Sequence, residues 1–411
     1  MGTFPANENP RLHFWARVRA FAVPPPMITS ATARRSAGDW AGACAAARFD
    51  VDLDLRTVRR VHGSAVAAQI RADLRHLAPD LLRWHFPRIA PDGLLRPGLT
   101  VSLARYGGEI HLVARTPPAW AGAGQRISLA LWTPSAPGAG LHPHPRPDRR
   151  YRLDLHRHLW DARRTGELPE RAGRWPPVVL DQWMAEAALL LRAEGRTTGL
   201  VAVRLSSRHR LTLNLGGAAE NRTRAMPVLP DAATWVLPDL ELLHAGLIDA
   251  GQLHPLVASA LRPGHRSLAP QNPRGARDRL VECRGATHRI GVVKGVLVPL
   301  DHDPDEIRRE ELLGALGGTE LPCLRAIDEA HRNPENLPDV RARLDHGDTA
   351  GALAAVEDLL GPDVLLGGGA LRDELETAAR RQVTHGLYRA GLTGYGPPRS
   401  TSDTRRRTLP T

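Results

Sequence analysis

Segments of strand length follow one another in the middle of this 411-residue chain instead of alternating with helices. Residues 99–105, 109–115 and 126–132 are apolar or alternate between apolar and polar side chains, which is typical of strands. Gly107-Gly108 separates the first two by a tight turn. Strands that follow one another directly pair mainly antiparallel, so the sequence predicts an α+β fold.

The rest of the chain supports the same fold class. Residues 200–205 and 210–215 are predicted to form a second hairpin, and residues 280–283, 287–293 and 296–300 a β-meander with turns at Arg284-Gly285 and Lys294-Gly295. Residues 179–193 and 239–261 have helical spacing of apolar side chains. Residues 152–156 alternate like a strand, and we expect His156 and His158 beside it to be solvated.

A short sequence motif, Gly-Asp followed by small residues, occurs near both ends of the chain. Gly38-Asp39 and Gly347-Asp348 are each followed by small residues and an alanine-rich run. An aspartate at this position can accept the free N–H groups of a helix's first turn. Two copies are fewer than the three or so units of a repeat array. We therefore expect a helical hairpin at each end of a β-containing body.

The length exceeds what one hydrophobic core usually supports, so we predict two or three domains. The predicted architecture is a helical N-terminal unit, a central antiparallel β/α region and a C-terminal β-meander followed by helices. The predicted boundaries are a flexible or misannotated arm at 1–29, a helical unit at 30–95, a central α+β region at 96–262, a linker at 263–278, a β-meander plus helical unit at 279–395 and a disordered basic tail at 396–411.

The net charge of +11 comes almost wholly from arginine, because Lys294 is the only lysine among 55 basic residues. This composition indicates the codon bias of a GC-rich genome, which spreads arginines over a surface instead of concentrating them in a binding site. Nucleic-acid binding is an alternative, because residues 55–77 carry five arginines in a helix–turn–helix pattern around Gly63.

Cysteine usage and hydropathy bear on the compartment. Three scattered cysteines are too few for a disulfide framework, which favours a reducing, cytoplasmic location. No segment approaches the roughly 20 apolar residues that span a bilayer, so no membrane partner is predicted.

Two sets of residues are candidates for chemistry. Asp301 and His302 follow the last strand of the meander, and a carboxylate beside an imidazole can transfer protons or bind a metal. The acidic residues after them have another explanation, because Asp303 suits an N-cap and Pro304 the first helical position. Asp301 and His302 are therefore the candidate catalytic residues.

The second set consists of possible zinc ligands, namely Cys283, His288, Cys323 and His331. Their spacings, C-x4-H and C-x7-H, match no compact zinc module, and a buried cysteine in a strand often serves only as a small apolar side chain. No cofactor is therefore predicted outright, with zinc as the alternative.

The sequence contains no coherent catalytic set, so our leading hypothesis is a non-enzymatic, cytoplasmic protein that binds or scaffolds other proteins. One alternative is a metal-dependent hydrolase-type enzyme centred on Asp301, His302 and His288. The other is a nucleic-acid-binding protein. Whether the chain is an enzyme is left open at this stage.

Overall fold

The computed structural model describes residues 10–107, 109–135, 142–172, 179–206, 208–216, 226–262, 279–319 and 321–393. The chain divides into a larger unit, Met1–Pro270 with Ala390–Thr411, and a smaller unit, Gln271–Arg389. The fold is α+β, and it includes the predicted C-terminal β-meander followed by helices. The predicted linker at 263–278 and the predicted tail at 396–411 lie outside the described residues.

The larger unit combines short helices with small sheets. Its helices are α1 (Pro10–Arg17), α2 (Pro25–Ser36), α3 (Trp40–Ala46), α4 (Leu55–His62), α5 (Ser64–His76), α6 (Pro79–His85), α7 (Leu168–Arg171), α8 (Val179–Ala193), α9 (Pro238–His244) and α10 (Pro255–Leu261). Its strands are β1 (Phe49–Val51), β2 (Arg88–Ile89), β3 (Leu94–Leu95), β4 (Thr100–Tyr106), β5 (Ile110–Arg115), β6 (Ile127–Trp132), β7 (Gly199–Arg204) and β8 (Arg210–Leu215).

The main sheet of the larger unit has the strand order β1-β6-β5-β4. Strands β4, β5 and β6 are antiparallel neighbours, as predicted, and β7 pairs antiparallel with β8. Strand β1 was not predicted, and it pairs parallel to β6 with Phe49 opposite Ile127. Three residues are too few to show an alternating pattern, so only the pairing with β6 identifies this segment as a strand.

The core of the larger unit draws on both the predicted helical unit and the predicted central region. Ile70 and Leu74 of α5 are buried with Leu103 of β4 and Leu112 of β5. Trp15 of α1 belongs to the same core and is only 4% exposed. The prediction of a flexible arm is therefore wrong for residues 10–29, which form α1 and the start of α2.

One further prediction about the larger unit is wrong. Residues 152–156 do not form a strand, because the backbone N–H groups of Leu155 and His156 donate to the carbonyls of Arg152 and Leu153 in a turn that leads into a 3₁₀ helix, Arg157–Leu159. The region predicted to be helical at 239–261 consists of two helices, α9 and α10. Prolines at the first positions of both, Pro238 and Pro255, fix where each begins.

The smaller unit packs helices against a three-stranded meander with the order β11-β10-β9. Its strands are β9 (Arg279–Cys283), β10 (Ala286–Val293) and β11 (Val296–Pro299), and its helices are α11 (Pro304–Ala315), α12 (Pro322–Arg332), α13 (Leu337–Asp345), α14 (Thr349–Leu360) and α15 (Ala370–Arg389). Arg284 and Lys294 have positive φ in the two predicted turns, each next to a glycine. Of all the helices described here, none is both long enough and apolar enough to cross a bilayer.

The repeated Gly-Asp motif forms the same local structure at both ends of the chain. Asp39 accepts the N–H of Gly42 at the start of α3, and Asp348 accepts that of Gly351 at the start of α14. Each aspartate also pairs with the arginine five residues before it, at 3.0 and 3.2 Å. Gly38 and Gly347 precede them with φ of 80° and 79°. The predicted helix starts are confirmed.

Replacing Asp348 by Ala is expected to lower the free energy of unfolding of the smaller unit by about 1 kcal/mol, because α14 loses its N-cap acceptor. Asp348→Asn is the control, since Asn caps a helix about as well as Asp. Urea unfolding followed by circular dichroism measures both variants. An equal loss in both would show that the ion pair with Arg343, and not the cap, carries the effect.

Candidate metal centre

The meander brings two of the candidate residues to one edge of its sheet. Strands β9 and β11 run in the same direction because both pair antiparallel with β10. Cys283 is the last residue of β9, and His302 follows shortly after the end of β11. Cys323 lies in the first turn of α12, which packs against β9. Three separate segments therefore meet at this edge.

Cys283, His302 and Cys323 form a group that could hold a metal ion. One ligand atom from each, a sulfur or a ring nitrogen, lies within 4.8 Å of the other two. Both cysteines are fully buried, and the His302 side chain is 4% exposed. A tetrahedral zinc with Zn–S of about 2.3 Å spaces its ligand atoms about 3.5–4 Å apart. Small side-chain adjustments would therefore suffice to close the group around an ion.

The orientation of His302 leaves one ring nitrogen available. Its Nδ1 lies 3.3 Å from the Glu306 carboxylate, one helical turn into α11. Glu306 in turn accepts a hydrogen bond from Arg284, directly after Cys283. With Nδ1 donating to Glu306, Nε2 carries the lone pair, and it is buried with no partner among the described residues. A metal-binding histidine is commonly oriented by a carboxylate in this way.

The two thiols are held close together in an apolar environment. Burial, together with the nearby Cys283 sulfur, raises the pKa of Cys323 to about 11. A thiol in such surroundings stays protonated unless a cation stabilises its thiolate. The group is thus chemically suited to an ion that binds thiolate sulfur.

His288 lies beside the group. Its ring stacks on that of His302, with centroids 4.1 Å apart and planes 12° from parallel, and its Nδ1 is buried without a partner among the described residues. It occupies β10 opposite Val281, two residues before Cys283. His288 is therefore the nearest imidazole that could supply a fourth ligand.

Two predicted site residues do not join this group. His331 lies eight residues beyond Cys323 on α12, about 12 Å along the helix. Asp301 accepts the backbone N–H of Arg289 at 2.7 Å and its guanidinium at 2.8 Å. These hydrogen bonds lower the pKa of Asp301 to about 2. The two residues of the predicted catalytic pair therefore have different partners. Asp301 forms an ion pair with Arg289, and His302 is a candidate metal ligand.

The two histidines predicted to be solvated are buried in the larger unit. His156 and His158 are each 1% exposed, with ring centroids 5.8 Å apart. Nε2 of His156 lies 3.1 Å from Glu186, and burial lowers the pKa of His158 well below its ordinary value. The prediction of solvated imidazoles is wrong, because the turn at 152–156 directs this segment inward.

Sequence reasoning placed His302 with Asp301 rather than with the cysteines. The available signal was the predicted meander, whose first and third strands end at the same edge and so bring Cys283 towards residue 302. A comparison with protein-family models, with curated proteins and with solved structures finds no match to this chain. The function of this chain is therefore inferred from its geometry alone.

Proposed function

We propose that this chain is a zinc-binding, non-enzymatic protein in which the metal stabilises the smaller unit. One observation carries the proposal: a ring nitrogen of His302 and the sulfurs of Cys283 and Cys323 all lie within 4.8 Å of one another, and the buried Nε2 of His302 has no partner among the described residues. Burying a polar atom without a hydrogen bond costs about 1–3 kcal/mol. A bound ion removes that cost.

The donor set favours zinc over other common metals. Two thiolates and an imidazole are borderline-soft ligands, whereas calcium and magnesium require oxygen ligands. Zinc in structural sites is bound tetrahedrally by four protein ligands. In this proposal His288 supplies the fourth, after its ring turns from its stacked position on His302.

The same geometry favours a structural role over the hydrolase alternative. A catalytic zinc keeps one position open for water and needs a base nearby to accept a proton. Cys283 and Cys323 are completely buried. Asp301 has a pKa near 2 and is engaged by Arg289, so it is a poor base. The role in protein interaction stays a prediction from the sequence, and a structural metal is compatible with it.

Metal analysis of the purified full-length protein tests the proposal. We expect about one zinc per chain in the wild type and less than a tenth of that in Cys283→Ala and Cys323→Ala. Cys44→Ala is the matched control, because Cys44 is an equally buried cysteine of the larger unit. It is expected to keep its zinc.

Cobalt(II) in place of zinc distinguishes a structural site from a catalytic one. Thiolate-to-cobalt absorption should appear in the wild type and be lost in both ligand variants. Azide should leave the spectrum unchanged if four protein ligands close the site. A spectrum that shifts with azide would overturn the structural role and favour the hydrolase, and a metal-free wild type grown with zinc would overturn zinc binding.

A further inference from the structure

The larger unit contains a cavity of about 770 Å³ lined by an excess of positive charge. Its charged lining residues are Arg11, Arg88, Arg96, Arg150, Arg204, Asp231 and Glu241. Five arginines against two carboxylates leave three positive charges uncompensated. His85 also lines the cavity, and burial lowers its pKa to about 4, so it adds no charge at neutral pH.

Arg88 contributes one of these uncompensated charges. Its guanidinium donates to the carbonyls of Gly93 and Arg83 at 2.7 and 2.6 Å, and its Nε is buried without an acceptor among the described residues. Burial lowers the pKa of Arg88 to about 9. No carboxylate in the described part of the chain forms a salt bridge with it. A half-buried cation without a counter-ion is costly, and an anionic ligand would relieve that cost.

Arg96 is the second arginine of the cavity with no salt bridge to a described carboxylate, and its Nε is also buried without an acceptor there. The other arginines share their charge with acidic residues. Arg150 pairs with Asp231 at 2.6 Å, Arg204 approaches the same carboxylate at 3.5 Å, and Arg11 pairs with Glu241 at 2.7 Å. Arg88 and Arg96 are thus the available anion-binding groups.

Aromatic side chains form another part of the lining. Phe14, Trp15, Tyr151 and Trp235 all contribute to it. The rings of Trp15 and Trp235 lie 5.7 Å apart, and the guanidinium of Arg150 lies 5.2 Å from the centre of the Tyr151 ring. Aromatic side chains stack on nucleobases and similar flat rings.

We propose that this cavity binds a small ligand that combines a phosphate with a flat aromatic ring, such as a mononucleotide. The phosphate interacts with Arg88 and Arg96, since arginine is well suited to phosphate recognition. The ring packs against Trp235 and Tyr151. The volume lies within the range of about 300–1,000 Å³ that is usual for small-molecule sites. This site is independent of the zinc centre, so either proposal can fail without the other.

Calorimetric titration of the full-length protein tests the proposal. The probes are the four ribonucleoside 5′-monophosphates, their nucleosides, inorganic phosphate and a thymidine oligonucleotide. We expect at least one monophosphate to bind at least tenfold more tightly than its nucleoside and than phosphate. Arg96→Gln should weaken that binding at least tenfold. Arg60→Gln, at an exposed position of α4, removes the same charge and should change it less than twofold.

A variant of the aromatic lining tests the other half of the ligand. Trp235→Leu should weaken the monophosphate about tenfold and leave phosphate binding unchanged. If Arg96→Gln does not fold, as judged by its thermal midpoint, Arg96→Lys makes the test instead, because lysine keeps the charge but lacks the guanidinium fork that matches a phosphate. The proposal is overturned if no monophosphate binds below about 1 mM. It is also overturned if phosphate alone binds equally well, or if the oligonucleotide binds more tightly with a steep salt dependence.

Discussion

Chelation of zinc is expected to lower the thermal midpoint of the smaller unit by roughly 10–20 °C while leaving the larger unit unchanged. A metal that binds only the folded state, at about 1,000 times its dissociation constant, contributes about 4 kcal/mol. In a unit of about 120 residues, each kcal/mol shifts the midpoint by roughly 3–5 °C. Burial explains the direction of the effect, because removing the ion again leaves His302 Nε2 buried without a partner among the described residues.

The distribution of tryptophan makes this measurement selective. All nine tryptophans precede residue 236, so their fluorescence reports on the larger unit alone, whereas circular dichroism reports on both. EDTA should shift part of the circular dichroism transition and leave the fluorescence transition in place. Added zinc should restore the circular dichroism transition to its original temperature, and added magnesium should not. An unchanged circular dichroism transition in protein shown to have lost its zinc would contradict a structural role.

Glu306→Gln provides a graded version of the same test. The carboxylate orients His302 through Nδ1, and loss of such a partner typically weakens metal binding by 10–100-fold. The variant should therefore lose zinc at lower chelator concentrations than the wild type does. The control is Glu311→Gln on the same helix, at an exposed position.

Local pattern is enough to predict most of the strands and the two capped hairpins. The strands within 99–132 and 279–299 each have four or more residues that are apolar or alternate between apolar and polar. The glycine of the Gly-Asp motif has positive φ, and its aspartate caps the helix. Strand β1 has too few residues for such a pattern. The sequence of the turn at 152–156 has the alternating pattern of a strand, because Arg152 and Asp154 alternate with leucines. In the structure these two residues pair with each other.

The candidate sites depend on tertiary packing, which local pattern does not encode. Cys323 reaches Cys283 only because α12 packs on β9, forty residues away along the chain. Asp301 and His302 are neighbours in sequence, yet one pairs with Arg289 while the other is buried beside the thiols. The cavity of the larger unit draws its arginines from several separate segments. An arginine composition attributed to codon bias gives no sign that Arg83 and Arg88 serve internal contacts.

Asp161→Asn is expected to lower the free energy of unfolding of the larger unit by about 1–3 kcal/mol, since it removes the buried carboxylate of a network whose two arginines are partly exposed. The Asp161 side chain is fully buried and accepts Arg157 at 2.7 Å and Arg163 at 2.8 Å. The same arginines also pair with Asp73, which the Tyr106 hydroxyl contacts at 2.7 Å. Two cations would then share one carboxylate.

Urea unfolding followed by tryptophan fluorescence measures this loss in the larger unit alone. Asp92→Asn is the control, because Asp92 forms an exposed pair with Arg17 at 4.0 Å in the same unit. Exposed pairs contribute about 0–1 kcal/mol, so this variant should unfold at nearly the wild-type urea concentration. Similar losses in both variants would contradict a special role for the network.

The pH dependence separates the charge of Asp161 from its packing. Burial raises the pKa of this carboxyl, but hydrogen bonds from Arg163 and Arg157 outweigh that effect and hold the pKa below its ordinary value of 3.8. A lowered folded pKa stabilises the protein above 3.8, and this stabilisation is lost as the pH falls towards the folded pKa. The difference between wild type and Asp161→Asn should therefore be constant from pH 5 to 7 and narrow below pH 3.8, by up to about 1.4 kcal/mol per pH unit. A difference that stayed constant down to pH 3 would show that Asp161 acts through shape and not through charge.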